Sequence, residues 1–209
     1  MKSNQLKQHW ETIYKTKDTT KEVSWYQDDP HTSVDLILST GINKDSNIID
    51  IGGGDSKLVD ALLKLGFKNI SVLDISPTAL TKAKKRLGQT ANQISWIEAD
   101  VLTFRTDLRF DVWHDRATFH FLTKRKDIDS YVETASQLIK PGGYLIISAF
   151  STNGPTQCSG LDITQYSEGL LKRTFAKKFK HIKSFEQIHK TPFDTKQNFL
   201  CIILNKKLK

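Results

Sequence analysis

The sequence predicts an α/β fold: a doubly wound, mostly parallel seven-stranded sheet with helices on both faces and an antiparallel C-terminal hairpin. Three observations carry this. The β-branched run Ile48, Ile49, Ile51 ends in Gly52-Gly53-Gly54 and passes into Leu58, Ala61, Leu62 and Leu65 at helical spacing. Apolar segments then alternate with helical patterns as far as residue 149. Two last apolar segments, 181–188 and 198–205, flank Lys190-Thr191-Pro192-Phe193-Asp194 and should pair antiparallel.

Taken in order, residues 3–15 read as a short helix and 16–30 as a loop that carries Trp25-Tyr26 and ends at Pro30. A helix at 31–40 is stopped by Gly41. Strands are expected at 47–51, 70–74, 94–98, 109–114 and 144–149, and helices at 55–65, 77–87 and 126–139. Ser76 suits the cap of the second of these helices, with Pro77 in its first position. Residues 150–163 form an irregular stretch, followed by helical material to about 177. A connection of that length with two glycines suggests a lid, so 150–177 is expected to close over a bound substrate. Residues 1–40 are expected to form a helical, aromatic cap, and 1–209 a single domain.

Composition bounds the rest. A chain of 209 residues with 38% hydrophobic and 26% charged residues suits one globular domain. No apolar run approaches the ~20 residues of a membrane span, and the first ten residues lack a hydrophobic signal core. Cys158 and Cys201 give neither a disulfide framework nor a metal cluster, so no metal is expected, and Cys201 reads as core packing. The net charge of +8 is concentrated in Lys82–Arg86, Lys172–Lys180 and Lys206–Lys209, which read as solvated helix faces and a tail. The expectation is a cytoplasmic monomer with no membrane or nucleic-acid partner.

The spacing of the glycines selects the cofactor type. A dinucleotide site wants G-x-G-x-x-G, and neither register supplies it: from Gly52 the third position is Lys57, and from Gly53 the second is Asp55. The pattern Asp-x-Gly-x-Gly-x-small fits Asp50, Gly52, Gly54 and Ser56. A carboxylate at a strand end faces a cationic ligand, as S-adenosylmethionine is at its amine and sulfonium. Twenty positions after Gly54, Asp74 closes the second strand and suits the two ribose hydroxyls. The third strand leads to Asp100-Val101, placed for the adenine edge.

Together these residues resemble the class I, seven-strand S-adenosylmethionine-dependent methyltransferases over about residues 10–205, with a Rossmann-like fold implied. Asp50–Ser56 is similar to that family's first motif, with Ser56 where a third glycine is usual. Asp74 matches its ribose acid and Ile75 lies beside it; Asp100-Val101 matches its adenine-contacting pair and Pro141-Gly142-Gly143 the turn entering its fifth strand. The Gly-Asp-Ser variant resembles the subgroup of elongation-factor and citrate-synthase lysine methyltransferases. In that subgroup aromatics like Trp10, Tyr14 and Trp25-Tyr26 pack on the cofactor. Thiol and thiopurine methyltransferases have similar aromatics. The resemblance implies S-adenosyl-L-methionine as cofactor. His114-Asp115-Arg116-Ala117 replaces the Asn-Pro-Pro-Tyr of amine-directed nucleic-acid methylases. The resembled lysine enzymes carry acid-Lys-Gly-Thr where this chain has Asp115-Arg116-Ala117-Thr118.

The acceptor is expected beyond the fourth strand and the loop after the fifth. His114 and Asp115 are the candidates to orient or deprotonate the nucleophile. Against that, Asp115 suits a helix cap, and His114 also suits a backbone contact to the methionyl part of the cofactor. Arg116 either pairs with Asp115 or another acid, the reading favoured, or clamps an anionic substrate group. His120 suits a substrate contact or a satisfied polar residue, Tyr166 a hydrogen-bonding partner, and His189, in the hairpin turn, a group at the same mouth. A thiolate or carboxylate acceptor needs little acid–base machinery, whereas an amine must first lose a proton. The leading expectation is a small-molecule substrate with an oxygen, sulfur or nitrogen acceptor. Protein-lysine methylation and a non-catalytic, cofactor-binding partner subunit are the rivals, with a nicotinamide oxidoreductase behind them.

Overall fold

The computed structural model describes residues 3–208. Its strands are β1 (Asn47–Ile51), β2 (Asn69–Asp74), β3 (Ile94–Glu98), β4 (Phe110–Arg116), β5 (Ile139–Phe150), β6 (Phe179–Lys190) and β7 (Lys196–Lys206). They form one sheet in the order β3-β2-β1-β4-β5-β7-β6. The first five run parallel. β7 is antiparallel to both β5 and β6. The helices are α1 (Ser3–Thr16), α2 (His31–Leu38), α3 (Leu58–Lys64), α4 (Pro77–Leu87), α5 (Arg125–Leu138) and α6 (Glu168–Phe175). No helix among the described residues is long and apolar enough to cross a membrane.

Strand periodicity divides the core into two layers. Ile48, Val72, Val112 and Ile146 face Leu36, Leu62 and Leu80 of α2, α3 and α4. Ile49, Ile51, Trp113, Leu145 and Ile147 face Tyr131, Ala135, Leu171 and Phe175 of α5 and α6. The strand order reverses at β1, which lies between β2 and β4. The helices that follow these two strands leave on opposite sides, so a crevice opens at their carboxyl ends.

Several expected boundaries move, each for a local reason. α3 begins at Leu58 rather than 55, because residues 53–57 close the glycine turn with Ser56 N–H donating to Gly53 O at 2.8 Å. α2 stops at Leu38, short of 40. β4 reaches Arg116 rather than ending at 114. β5 begins at Ile139 rather than 144: Phe110 pairs with Ile139, and a register shift between Phe110 and Val112 absorbs Pro141-Gly142-Gly143. The last two strands are longer than 181–188 and 198–205, so His189 lies inside β6 rather than in the turn.

The stretch 150–163 is hydrogen-bonded structure. Tyr166 N–H donates to Phe150 O at 2.8 Å and Gly154 N–H to Ser151 O at 2.9 Å. Gln157–Cys158 pairs with Leu161–Asp162 in a miniature hairpin. The helical material expected up to 177 is α6, 168–175, capped by Ser167.

Two expected site residues belong to the layer beneath α5. Asp115 is fully buried; Oδ1 accepts from Thr118 N–H at 3.1 Å and Phe119 N–H at 3.0 Å, and Oδ2 from Tyr131 Oη at 2.7 Å. Burial pushes its carboxyl up to about 6 against those three donors. Its Oδ1 thus holds the N–H groups at the entry to the 3₁₀ turn Phe119–Phe121, so it faces α5 and not the crevice, contrary to the expectation that it deprotonates a substrate. Tyr166 is likewise a core residue packed on Phe119 at 5.2 Å rather than a substrate contact. Tyr131 Oη also accepts from Trp113 Nε1 at 2.9 Å. Tyr131→Phe should therefore orphan a buried donor and a buried carboxylate oxygen. Loss of about 2–4 kcal/mol in urea unfolding is expected; a change under 0.5 kcal/mol would show that the network contributes nothing.

Candidate active site

The turn after β1 is shaped by its glycines. Gly52 and Gly54 have φ of +61° and +50°, in the left-handed region. A Cβ on Gly54 would lie 2.5 Å from Tyr14 Oη and 3.2 Å from Asp74 Oδ2, and one on Gly52 would collide with Thr118 Oγ1. α1 and the ends of β2 and β4 thus close directly on the turn.

Three acids stand at successive strand ends. Asp50, buried, accepts from His114 Nδ1 at 2.7 Å, and His114 Nε2 lies 3.0 Å from Ser33 Oγ of α2. The two are register partners on β1 and β4, so the sheet aligns their side chains on one face. Asp74 Oδ1 accepts from Ser76 N–H at 2.8 Å. Burial pushes its carboxyl up to about 7 against the N–H groups of Ser76 and Gly54, and the carboxylates of Asp55 and Asp50 push the same way. Asp100 Oδ1 accepts from Leu102 N–H at 2.9 Å.

Over the crevice lies an aromatic roof from the N-terminal segment. Trp10 packs edge-on against Trp25 at 5.6 Å and Phe121 at 5.1 Å, and Tyr14 against Trp25 at 6.3 Å. Glu11 pins α1 to the start of α4 by accepting from Ser76 Oγ, from Thr78 N–H at 3.0 Å and from Thr78 Oγ1 at 2.8 Å. Burial raises its carboxyl, but these donors outweigh it and hold the group down at about 2. Thr19 Oγ1 donates to Asp55 and ties the loop to the glycine turn.

Beneath the roof are two chambers. The larger, about 840 Å³ and partly open to solvent, lies over Asp74, Ile75, Asp100 and Val101. The smaller, about 540 Å³, lies over Asp50, Gly53, Ser56 and His114. Tyr14, Trp25, Gly52 and Arg116 line both and stand at their junction.

A family model described as a methyltransferase domain matches residues 49–145, which run from the turn's strand into β5. Over that part, a little under half of its length, the chain is similar to methyltransferase domains. EEF1A lysine methyltransferase 2 of Homo sapiens is 24% identical over 157 residues, covering 68% of this chain and 66% of that protein. The ubiquinone biosynthesis O-methyltransferase of Nitrosomonas europaea is 25% identical over 146 residues, covering 69% and 61%. The matched part thus spans about two thirds, or less, of these relatives. The 1,6-didemethyltoxoflavin-N1-methyltransferase of Burkholderia thailandensis, solved with bound 1,6-didemethyltoxoflavin and S-adenosylhomocysteine, shares the fold: TM-score 0.75, 18% identity, 97% of this chain and 88% of that one.

The residues of the site fit S-adenosylmethionine, the cofactor that the sequence resemblance implies. Two adjoining chambers share Tyr14, Trp25, Gly52 and Arg116, and each has carboxylates beneath an aromatic roof. Asp74 lacks donors enough to bring its carboxyl down to the ordinary range. Of the side chains expected at the site, Trp10, Tyr14, Trp25, Asp74, Ile75, Asp100, Val101 and Arg116 line the larger chamber, and Tyr26, Asp50, Ser56 and His114 the smaller. His120 and His189 line neither. His120 is buried against Phe150 at 4.3 Å, its Nδ1 accepting from Phe150 N–H, and His189 Nε2 donates to Ser24 O at 2.8 Å. Both assignments as substrate contacts are corrected. Arg116 does not pair with Asp115, whose oxygens are taken up on the opposite side of the sheet. The expected lid contributes only Cys158 to the lining; the covering comes from α1 and the loop after it.

Leu6, Ser33, Phe121 and Leu122 also line the chambers. Leu6 was visible in principle, because it precedes Trp10 and Tyr14 at the same four-residue spacing. Nothing local marks Ser33, whose role comes from its contact with His114.

A ribose diol donating to Asp74 selects the ionised carboxyl, so binding near neutrality must release a proton. S-adenosylhomocysteine affinity should therefore rise with pH from about 5 to about 7 and level off above. Asp74→Asn should abolish this slope and weaken binding ~10–100-fold in calorimetry. A flat wild-type profile over that range would remove Asp74 from the contact.

Proposed function

We propose that the protein is an S-adenosylmethionine-dependent methyltransferase that methylates a small nucleophilic molecule held at the junction of the two chambers. The observation that carries the reading is the roofed junction: Trp10, Trp25 and Phe121 pack edge to edge over it, and a small molecule fits beneath such a cover more readily than a protein segment. When bound, S-adenosylmethionine supplies a methyl group activated by its sulfonium. The chain's own part is to bind, align and exclude water. Asp74 would take the ribose hydroxyls and Asp100-Val101 the adenine edge, with Ile75 beside them. Gly52 and Gly54 would let the backbone approach, and Asp50, Ser56 and His114, which line the smaller chamber, would hold the methionyl end. Trp10, Tyr14, Trp25 and Tyr26 pack over the whole.

His114 acts here as a positioning residue. Each of its ring nitrogens already has a partner, Asp50 and Ser33, so its ring is held rather than poised to take a proton. Asp115 is sequestered on the far side of β4. An acceptor that arrives as an anion suits such a site, because it needs no base.

Transfer to a lysine side chain is the second reading, supported by the likeness to the human lysine methyltransferase and by the placement of Trp10, Tyr14 and Trp25-Tyr26. Incubating the protein with methyl-labelled cofactor and a fractionated cell extract separates the two. Label is expected in the low-molecular-weight fraction; label confined to macromolecules would overturn the small-molecule reading. His114→Asn should weaken S-adenosylhomocysteine binding roughly tenfold while leaving kcat within about threefold, since loss of a true base costs ~10²–10⁴.

A further inference from the structure

Resting on the small-molecule reading, we propose that the methyl acceptor carries a carboxylate and that Arg116 is the side chain that recognises it. Arg116 ends β4 at the junction of the chambers, beside Trp25, Tyr14 and Gly52. Its Nη1 donates to Trp25 O at 3.0 Å, and its guanidinium lies over the Phe199 ring at 4.8 Å. Nη2 is buried with no partner. Among the described residues no carboxylate forms an ion pair with it.

The groups that face this cation do not neutralise it. Asp50 attracts it from outside ion-pair range and is already engaged by His114. The Cys158 and Cys201 thiols are pushed up by burial and stay neutral. His120 and His189 are held at about 3 and about 4, by burial first and by the charge of Arg116 second, so neither is charged near neutrality. The guanidinium is part-buried, and leaving its buried Nη2 donor unpaired is unfavourable unless a ligand completes it. Its planar fork matches a carboxylate.

The surroundings narrow the ligand further. Trp25, Phe121, Leu122 and Cys158 give the adjoining wall an apolar character. A positive charge at this junction opposes both a sulfonium and a lysine ammonium. An anion placed between guanidinium and sulfonium is attracted by both. A small apolar acid meets all of these conditions.

The test uses the full chain saturated with S-adenosylhomocysteine. Acetate, hexanoate, benzoate and phenylacetate are titrated beside their neutral amides by calorimetry and tryptophan fluorescence. At least one acid should bind tenfold or more tightly than its amide. Arg116→Met should erase that preference while S-adenosylhomocysteine affinity stays within about threefold. Arg116→Lys, which keeps the charge, should retain part of the preference and covers the case in which the methionine variant does not fold. Acids and amides binding alike, or none binding at all, would overturn the proposal. So would an Arg116→Met variant that loses S-adenosylhomocysteine but keeps 5′-methylthioadenosine, because Arg116 would then serve the cofactor's own carboxylate. Failure of wild-type protein to bind S-adenosylhomocysteine would instead refute the proposed function itself.

Discussion

The site is organised around one buried contact, the hydrogen bond between Asp50 and His114. It joins β1 to β4 at the point where the strand order reverses, so the crevice has an acidic floor that is already partly compensated. Removing the imidazole would leave a buried carboxylate unpaired, a state that is costly in a low-dielectric interior. The contact also fixes its neighbours. Ser33 brings α2 against the ring, and Gly53 must lack a side chain because a Cβ there would sit 2.7 Å from Asp50 Oδ2. The turn, the helix and the two strands therefore share a single geometry.

A second set of contacts turns this open edge into an enclosed site. Glu11, Tyr14 and Thr19 reach from the N-terminal segment to α4, the glycine turn and Asp55. The anchoring is polar and charge-assisted, whereas the face turned to the chambers is aromatic. Such a division suits a cover that must be held in register while presenting a dry surface to ligand. The segment after β5, by contrast, is spent on packing: its backbone hydrogen bonds run to Phe150, Thr156 and His120, and only its Cys158 looks into the cavity.

Alternation of side chains along β4 explains which polar residues serve which purpose. His114 and Arg116 leave the strand on the side of the crevice, while Asp115 points to α5 and is consumed by Tyr131 and two backbone donors. Adjacent residues with similar chemical potential are thereby divided between function and structure. Arg116 differs from the rest in having capacity left over.

Much of this was legible in the chain itself. The β-branched runs, the glycine spacing and the capped helix at Pro77 specify strand, turn and helix through local sterics, which depend only on near neighbours in sequence. The acids at 50, 74 and 100 could be placed because strand ends in a doubly wound sheet converge by topology. What required the folded structure were contacts between residues far apart in the chain. The union of Asp50 with His114 spans 64 positions and the engagement of His189 by Ser24 spans 165. Whether Arg116 would find an acid, whether 150–163 would cover the site, and on which face Asp115 would fall were decided by packing, register and desolvation, none of which is a property of a short stretch of sequence.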